Sequence, residues 1–320
     1  MQFNDYINFD KKYASINKIK YSIKGKIVHD KAIFRCINIL TDDSVVIKFE
    51  PFHRKKFVER EVKALSILID TENVITLLDS SLKVSFHYNG KTYYGSALIL
   101  NYCNNKDLHY LIEPISRLPL DEKEFTVRSI FRKIVITLNK IHEKFGINHR
   151  DLKPENIFLN NYDIVIGDWA FYNDKEDLQK VWLGTPEFAS PQILNKEKYS
   201  ASKNDIWSLG VILFELLFGV NLYDVKKTEN NFIINYYSPG YYANYWCQIP
   251  TQLKDLIISM IEEEESKRPS LKDIMANEWF NKVPTNEHLL KHSIFLSMNK
   301  KNLKQNRQNL DMSPFRPTSP

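Results

Sequence analysis

Between residues 21 and 49 apolar and polar positions alternate, and the apolar ones are mostly Ile, Val and Phe. Alternation places one set of side chains on each face of a strand, so two or three strands are predicted, turning at Thr41-Asp42-Asp43-Ser44. Over 52–69 the period lengthens. Phe57, Val58, Val62, Leu65, Leu68 and Ile69 fall on one side of a helix. Strand-like runs return at 74–78 and 93–100, around a turn at Asn89-Gly90. After residue 101 helical spacing dominates, and helices are predicted at 107–113, 121–144, 202–218, 250–262 and 270–276. Strands first and helices afterwards make an α+β fold in two lobes, 21–101 and 102–280, joined near 101–105. Residues 1–20 are polar and weakly patterned, and read as an N-terminal extension. From 281 the composition shifts to Asn, Lys, Gln, Ser and Pro, and 299–320 has the make-up of a disordered segment.

Composition narrows the picture without naming a function. The chain has 320 residues, 43% hydrophobic and 26% charged, enough for one large or two small cores. Its longest apolar run, 206–223, carries Glu215, and a charge there favours a buried helix over a membrane span. The first ten residues lack the basic-then-apolar order of a signal peptide. Cys36, Cys103 and Cys247 are scattered, which fits no disulfide framework and suits a reducing compartment, cytoplasmic or nuclear. The net charge is +5, and residues 281–320 carry all of it. The rest is neutral, so no basic nucleic-acid surface is expected.

The chemistry concentrates in His149-Arg150-Asp151-Leu152-Lys153-Pro154-Glu155-Asn156. This segment resembles the catalytic loop of eukaryotic protein kinases of the serine/threonine type. Further motifs follow the same order: Val45-Val46-Ile47-Lys48, Glu61 on the next helix, Asp168 after an apolar hairpin, and 184–192. Asp205-Ile206-Trp207-Ser208-Leu209-Gly210, Arg268-Pro269 and Trp279-Phe280 complete a resemblance covering about 21–280. The resemblance implies a small β-rich lobe over a larger helical lobe, with ATP and Mg2+ between them and protein substrates. Phosphoryl transfer needs an aimed nucleophile and neutralised phosphate charge. Asp151 would take the substrate hydroxyl proton, Lys153 would stabilise the moving phosphoryl group, and Thr185 would bridge the two. Asn156 and Asp168 would supply oxygen ligands to the metal. Lys48, held by Glu61, would meet the α- and β-phosphates. Gly25, Ile33, Val46, Leu100, Cys103, Asp107 and Phe158 would surround the nucleotide, with Leu100 as gatekeeper and Asp107 near the ribose.

The departures from the family pattern cluster around ATP and the activation segment. The glycine-rich lid keeps only Gly25, in Gly25-Lys26-Ile27-Val28-His29-Asp30-Lys31-Ala32. Backbone amides then approach phosphates less closely. Lys26 or Lys31 compensates by charge, or both are plain solvated turn residues. Val46 stands where alanine is usual and, with Phe158, narrows the adenine slot. Asp168-Trp169-Ala170 replaces Asp-Phe-Gly, and Ala170 stiffens a hinge. Ser190-Pro191-Gln192 replaces Ala-Pro-Glu, leaving a neutral hydrogen bond to Arg268, which is then free to turn to the acidic run 262–265. No serine or threonine lies between Asp168 and Gly184. Glu176 or Asp177 could supply a permanent charge for Arg150, or a regulatory partner could take over.

Asp107, Glu155 and Glu215 match positions that favour basic substrates in relatives. In the tail, Lys300, Lys301, Lys304 and Arg307 fit a nuclear signal, a docking segment or a solvated end, and Ser313-Pro314 and Ser319-Pro320 fit proline-directed kinases. The alternative to catalysis is a pseudokinase serving as scaffold or allosteric partner, with small-molecule kinases third. The segment 184–192 argues for protein substrates, and the intact Lys48, Glu61, Asp151, Lys153, Asn156, Asp168 and Thr185 argue for catalysis.

Overall fold

Period-two alternation builds the N-terminal lobe as a sheet with one dry face. The computed structural model describes residues 4–28, 30–161, 163–173, 178–179, 183–227, 232–236 and 246–282. Seven strands are β1 (Asp5–Asn8), β2 (Tyr13–Ile16), β3 (Ile19–Lys26), β4 (Ile33–Asn38), β5 (Ser44–Pro51), β6 (Leu77–Tyr88) and β7 (Lys91–Asn101). Their order is β1-β2-β3-β4-β5-β7-β6, and β1 pairs in parallel with β6 to close the barrel. Inside lie Ile7, Ala14, Ile16, Tyr21, Ile23, Val45, Ile47 and Phe49. On β5 the alternate residues Val46 and Lys48 face the other way, toward the cleft between the lobes. Asn89 and Gly90 turn β6 into β7 with φ of 50° and 69°, the left-handed pair a two-residue hairpin requires.

The sheet begins earlier than position 21. Residues 5–16, read from sequence as an extension, supply β1 and β2, and Ile7, Ala14 and Ile16 are fully buried. Polar bonds latch this strap at both ends. Asn17 Nδ2 donates to Asp79 Oδ1 at 2.8 Å. The Asp10 carboxylate accepts from the Asn89 and Gly90 amides at 3.0 and 3.1 Å. The other shift is β6, which spans 77–88 rather than 74–78, while Val74 makes an isolated bridge to Ile166.

Helix α1 (Lys55–Ile67) packs against the sheet through Val58, Glu61, Ala64 and Leu65. The C-terminal lobe holds α2 (His109–Ser116), α3 (Leu120–Phe145), the hairpin β8 (Ile157–Asn160) and β9 (Asp163–Ile166), α4 (Pro191–Leu194) and α5 (Ala201–Phe218). After α5 come the hairpin β10 (Tyr223–Lys227) and β11 (Phe232–Tyr236), then α6 (Thr251–Met260), α7 (Leu271–Ala276) and α8 (Glu278–Asn281). The predicted helices stand, with no end moved by more than three residues. The β10–β11 hairpin has no counterpart in the sequence reading.

Helix α5 is buried along nearly its whole length, as its apolar run requires. A Cβ at Gly210 would sit 2.7 Å from Ile261 Cγ2, so glycine is what lets α6 press against α5. Among the described residues no helix is long and apolar enough to cross a membrane. The end of β7, where the connection between lobes is expected, is fixed to the chain before β6. Asn101 N donates to Thr76 O at 3.1 Å, and Asn101 Oδ1 accepts from Thr76 N at 2.6 Å. The tail features at 300–307, 313–314 and 319–320 lie outside the described residues.

Candidate active site

One buried ammonium joins the two lobes. Lys48 Nζ lies 2.9 Å from Glu61 Oε2 and 3.0 Å from Asp168 Oδ1. Burial alone would lower the Lys48 pKa, but Asp168 and Glu61 together raise it above the ordinary lysine value. The two carboxylates respond differently. Burial raises Glu61 despite Lys48, and its Oε1 is buried with no hydrogen-bond partner. Burial also works against Asp168, yet Lys48 holds it below the usual carboxylate range. Asp168 is therefore the firmly ionised member, which suits a metal ligand.

The catalytic loop is pinned from below by α5. Asp205 accepts from the His149 amide at 2.7 Å and the Arg150 amide at 2.8 Å. The Asp151 amide donates to His149 Nδ1 at 3.2 Å, so the imidazole proton sits on Nε2 and bonds Gly167 O at 2.9 Å. Asn156 Nδ2 donates to Asp151 O at 2.8 Å and Asp151 Oδ2 at 3.2 Å, which leaves the amide oxygen of Asn156 for a cation. Thr185 Oγ1 donates to Asp151 Oδ1 at 2.8 Å and accepts from Lys153 Nζ at 2.7 Å. The expected bridge is thus formed. Gly184 makes room for it: its φ is 113°, and a Cβ there would lie 2.8 Å from Arg150 O. Burial raises the Asp151 pKa, while Lys153 and Thr185 oppose the rise.

The residues expected around a nucleotide come from the sheet above and from the β8–β9 hairpin and its approach below. Register places Val46 opposite Leu100, and Ile33 opposite Lys48. Asp107 bridges to Phe158, which sets these two expected nucleotide-side residues next to each other. Cys103 is half-buried, and burial pushes its thiol up to about 12, so it is a packing group rather than a nucleophile. Gly25 sits at a bulge in β3, where a Cβ would meet nothing within 4 Å. The two lid lysines part company. Lys26 Nζ lies 5.7 Å from the Tyr88 ring centroid, on the barrel side. Lys31 lies close enough for its charge to help lower Asp168.

The other departures have clear local solutions. Trp169 is fully buried, donates Nε1 to Ile166 O at 3.1 Å and packs on His149 at 4.5 Å between ring centroids. Arg268 Nη2 donates to Gln192 Oε1 at 2.7 Å, the neutral bond expected. The turn toward the acidic run needs correcting in detail. Arg268 reaches the backbone carbonyls of Glu262 and Glu263, at 2.7 and 3.2 Å, because a buried fork is satisfied by whichever acceptors line its slot. Glu176 and Asp177 lie outside the described residues.

Sequence reasoning passed over Tyr199 and Arg60. Tyr199 accepts from Arg150 Nε at 3.1 Å, and Arg60 bonds the Tyr172 carbonyl. Neither belongs to the motifs that drew attention.

Comparison with known proteins agrees with this geometry. A family model described as protein kinase domain matches residues 31–280. The chain is similar to a probable serine/threonine-protein kinase nek3 of Dictyostelium discoideum, 30% identical over 84% of this chain and 23% of that protein. It is also similar to serine/threonine-protein kinase CHK1 of Saccharomyces cerevisiae, 26% identical over 82% of this chain and 51% of the relative. A third relative, fatty acyl-CoA synthetase and RNA processing-associated kinase 1 of Saccharomyces cerevisiae, is 32% identical over 63% of this chain and 23% of its own length. The chain thus spans between a quarter and a half of these relatives. By its motifs, their assembled geometry and this match over most of its length, the chain belongs to the eukaryotic protein kinase family.

Proposed function

We propose that the chain is a catalytically competent kinase that transfers the ATP γ-phosphate to serine or threonine of protein substrates. The observation that carries this reading is the joining of seven groups from five separate stretches of sequence. Lys48, Glu61 and Asp168 form one hydrogen-bonded cluster, and Asp151, Lys153, Asn156 and Thr185 form the other. A scaffold needs no such convergence.

The roles follow from the chemistry of each group. Asp151, made more basic by burial, takes the proton of the substrate hydroxyl while that oxygen bonds to phosphorus and the bond to ADP breaks. Lys153 places a cation beside the same carboxylate, Nζ to Oδ2 at 3.9 Å. Lys48 would hold the α- and β-phosphates. The donor set fits a hard cation: an ionised carboxylate in Asp168 and an uncommitted amide oxygen in Asn156. When bound, Mg2+ would supply neutralising charge to the phosphates.

Substrate choice adds a finer proposal. Glu155 lies close enough to both Asp107 and Glu215 for its charge to raise each of them, after burial. Acidic groups gathered around Glu155 in this way favour a basic residue near the target hydroxyl.

The test is transfer from radiolabelled ATP with magnesium to basic and acidic protein substrates, wild type beside Asp151→Asn. Transfer to the basic set, reduced about a hundredfold or more in Asp151→Asn, is expected. The second reading, a scaffold, is favoured by the single lid glycine. Absence of transfer together with absence of any ATP-induced thermal shift would establish it instead.

A further inference from the structure

Residues 171–173, just after Asp168, are held from both lobes by groups carrying no phosphate. Between residues 169 and 183 there is no serine or threonine. Arg150 is nevertheless a buried cation, 3% exposed, and such a group needs acceptors. The Tyr199 hydroxyl takes its Nε at 3.1 Å, and the Phe171 carbonyl takes its Nη1 at 3.4 Å. Tyr199 is itself buried, and its backbone pairs with Gln179 through bonds of 2.8 and 3.1 Å. One tyrosine thus anchors the catalytic-loop arginine and grips the segment further along.

Helix α1 holds the same segment from above. Arg60 donates to the Tyr172 carbonyl, with its guanidinium 5.6 Å from that ring's centroid. Lys63 Nζ lies 5.9 Å from the same ring. Phe57 meets Phe171 edge-on, 5.4 Å between centroids. Phe57, Arg60, Glu61 and Ala64 recur at three- and four-residue steps, so they share one stripe of the helix. Rotating or lifting α1 to part Glu61 from Lys48 therefore also breaks Arg60 from Tyr172. On the far side Asn173 exchanges backbone bonds with Asn148, at 2.9 and 3.0 Å, just before the catalytic loop.

Where a phosphate orders such a segment, it works by giving nearby cations an anion to converge on. Here the cations already have acceptors: a hydroxyl, two carbonyls and an aromatic face. We infer that Arg60 and Tyr199 are positioning residues of a phosphate-free latch that fixes residues 171–173 between α1 and the catalytic loop. The latch keeps Glu61 on Lys48 without modification of the chain. The inference rests on the kinase reading for its consequence, but not for its geometry.

The experiment uses the full chain before and after phosphatase treatment, with wild type, Arg60→Ala, Arg60→Lys and Tyr199→Phe. Two quantities are read: kcat and KM for ATP, and hydrogen exchange of the α1 amides. Phosphatase-treated wild type keeps its activity. Arg60→Ala loses about tenfold in kcat and its α1 amides exchange about tenfold faster. Arg60→Lys recovers most of both, because a cation still reaches the carbonyl. Tyr199→Phe lowers kcat with a smaller change in α1 exchange, since it acts on the loop side. Arg60→Ala with unchanged α1 exchange would overturn the latch, as would wild type silenced by phosphatase. If no variant transfers phosphate before or after treatment, wild type included, the kinase reading falls, and α1 exchange still decides whether the latch exists.

Discussion

At the scale of single residues, Glu215 shows a group kept at a cost to the fold. It lies inside α5, its Oε2 buried with no hydrogen-bond partner. Burial, reinforced by Glu155, pushes its carboxyl up to about 7 from the ordinary 4.5. The folded chain thus binds a proton here that the unfolded chain has released. Stability attributable to Glu215 falls as pH rises from about 4.5, and the penalty is complete above about 7. Its size is on the order of 1–3 kcal/mol. Glu215→Gln should therefore melt several degrees higher than wild type at pH 8 and match it near pH 5. If the acidic trio reads basic substrates, the same change raises KM for an arginine-containing peptide. Equal melting differences at both pH values would remove the ionisation argument. This scale was also the most legible in the sequence. Asp151, Lys153 and Asn156 sit within six residues because one loop must aim them together. The contacts of Arg60 and of Arg268 with Glu262 and Glu263 were not legible, because backbone carbonyls as acceptors leave no mark on residue identity, and Tyr199 was missed because it lies 49 residues from the arginine it meets.

At the scale of elements, legibility followed length. Strand β5 and helices α3 and α5 carry enough residues for their period to stand out. The four-residue strands β1 and β2 carry one and two buried positions, too few to show a period. The β10–β11 hairpin is similarly short, at five residues a strand. Yet β1 and β2 close the barrel, and Ile7 belongs to its core. Ile7→Ala should lower stability by about 2–5 kcal/mol, the usual cost of emptying a packed isoleucine site. Lys11→Ala, at an exposed position on the same strap, should leave the melting curve within a degree of wild type. Thermal denaturation of the two variants side by side checks this. Similar small effects from both would mean that the strap rests on the lobe without being part of its core.

At the scale of the whole molecule, the proposed ATP site draws its residues from both the sheet and the helical lobe. Lys48 and Val46 come from the sheet, Asn156, Phe158 and Asp168 from below. The lower half of this site and the Lys48 cluster are complete. The lid is not: Ile27 and Val28 are 47% and 38% exposed beyond its one glycine, and β-branched residues keep amides from closing on phosphate. Binding that favours the native state raises stability by RT ln(1 + [L]/Kd). A Kd near 1 mM gives about 0.4 kcal/mol at 1 mM Mg-ATP, or roughly 1–2 °C for a domain of this size. A Kd of about 10 μM would give nearly 3 kcal/mol and a shift several times larger. The smaller shift is expected, growing with the logarithm of ATP concentration above 1 mM. Asp168→Asn should flatten it by removing the carboxylate that pairs with Lys48 and that would hold the proposed metal. A shift of about 8 °C at 1 mM Mg-ATP would instead mean that Lys31, whose charge already reaches Asp168, restores the grip the missing glycines lose.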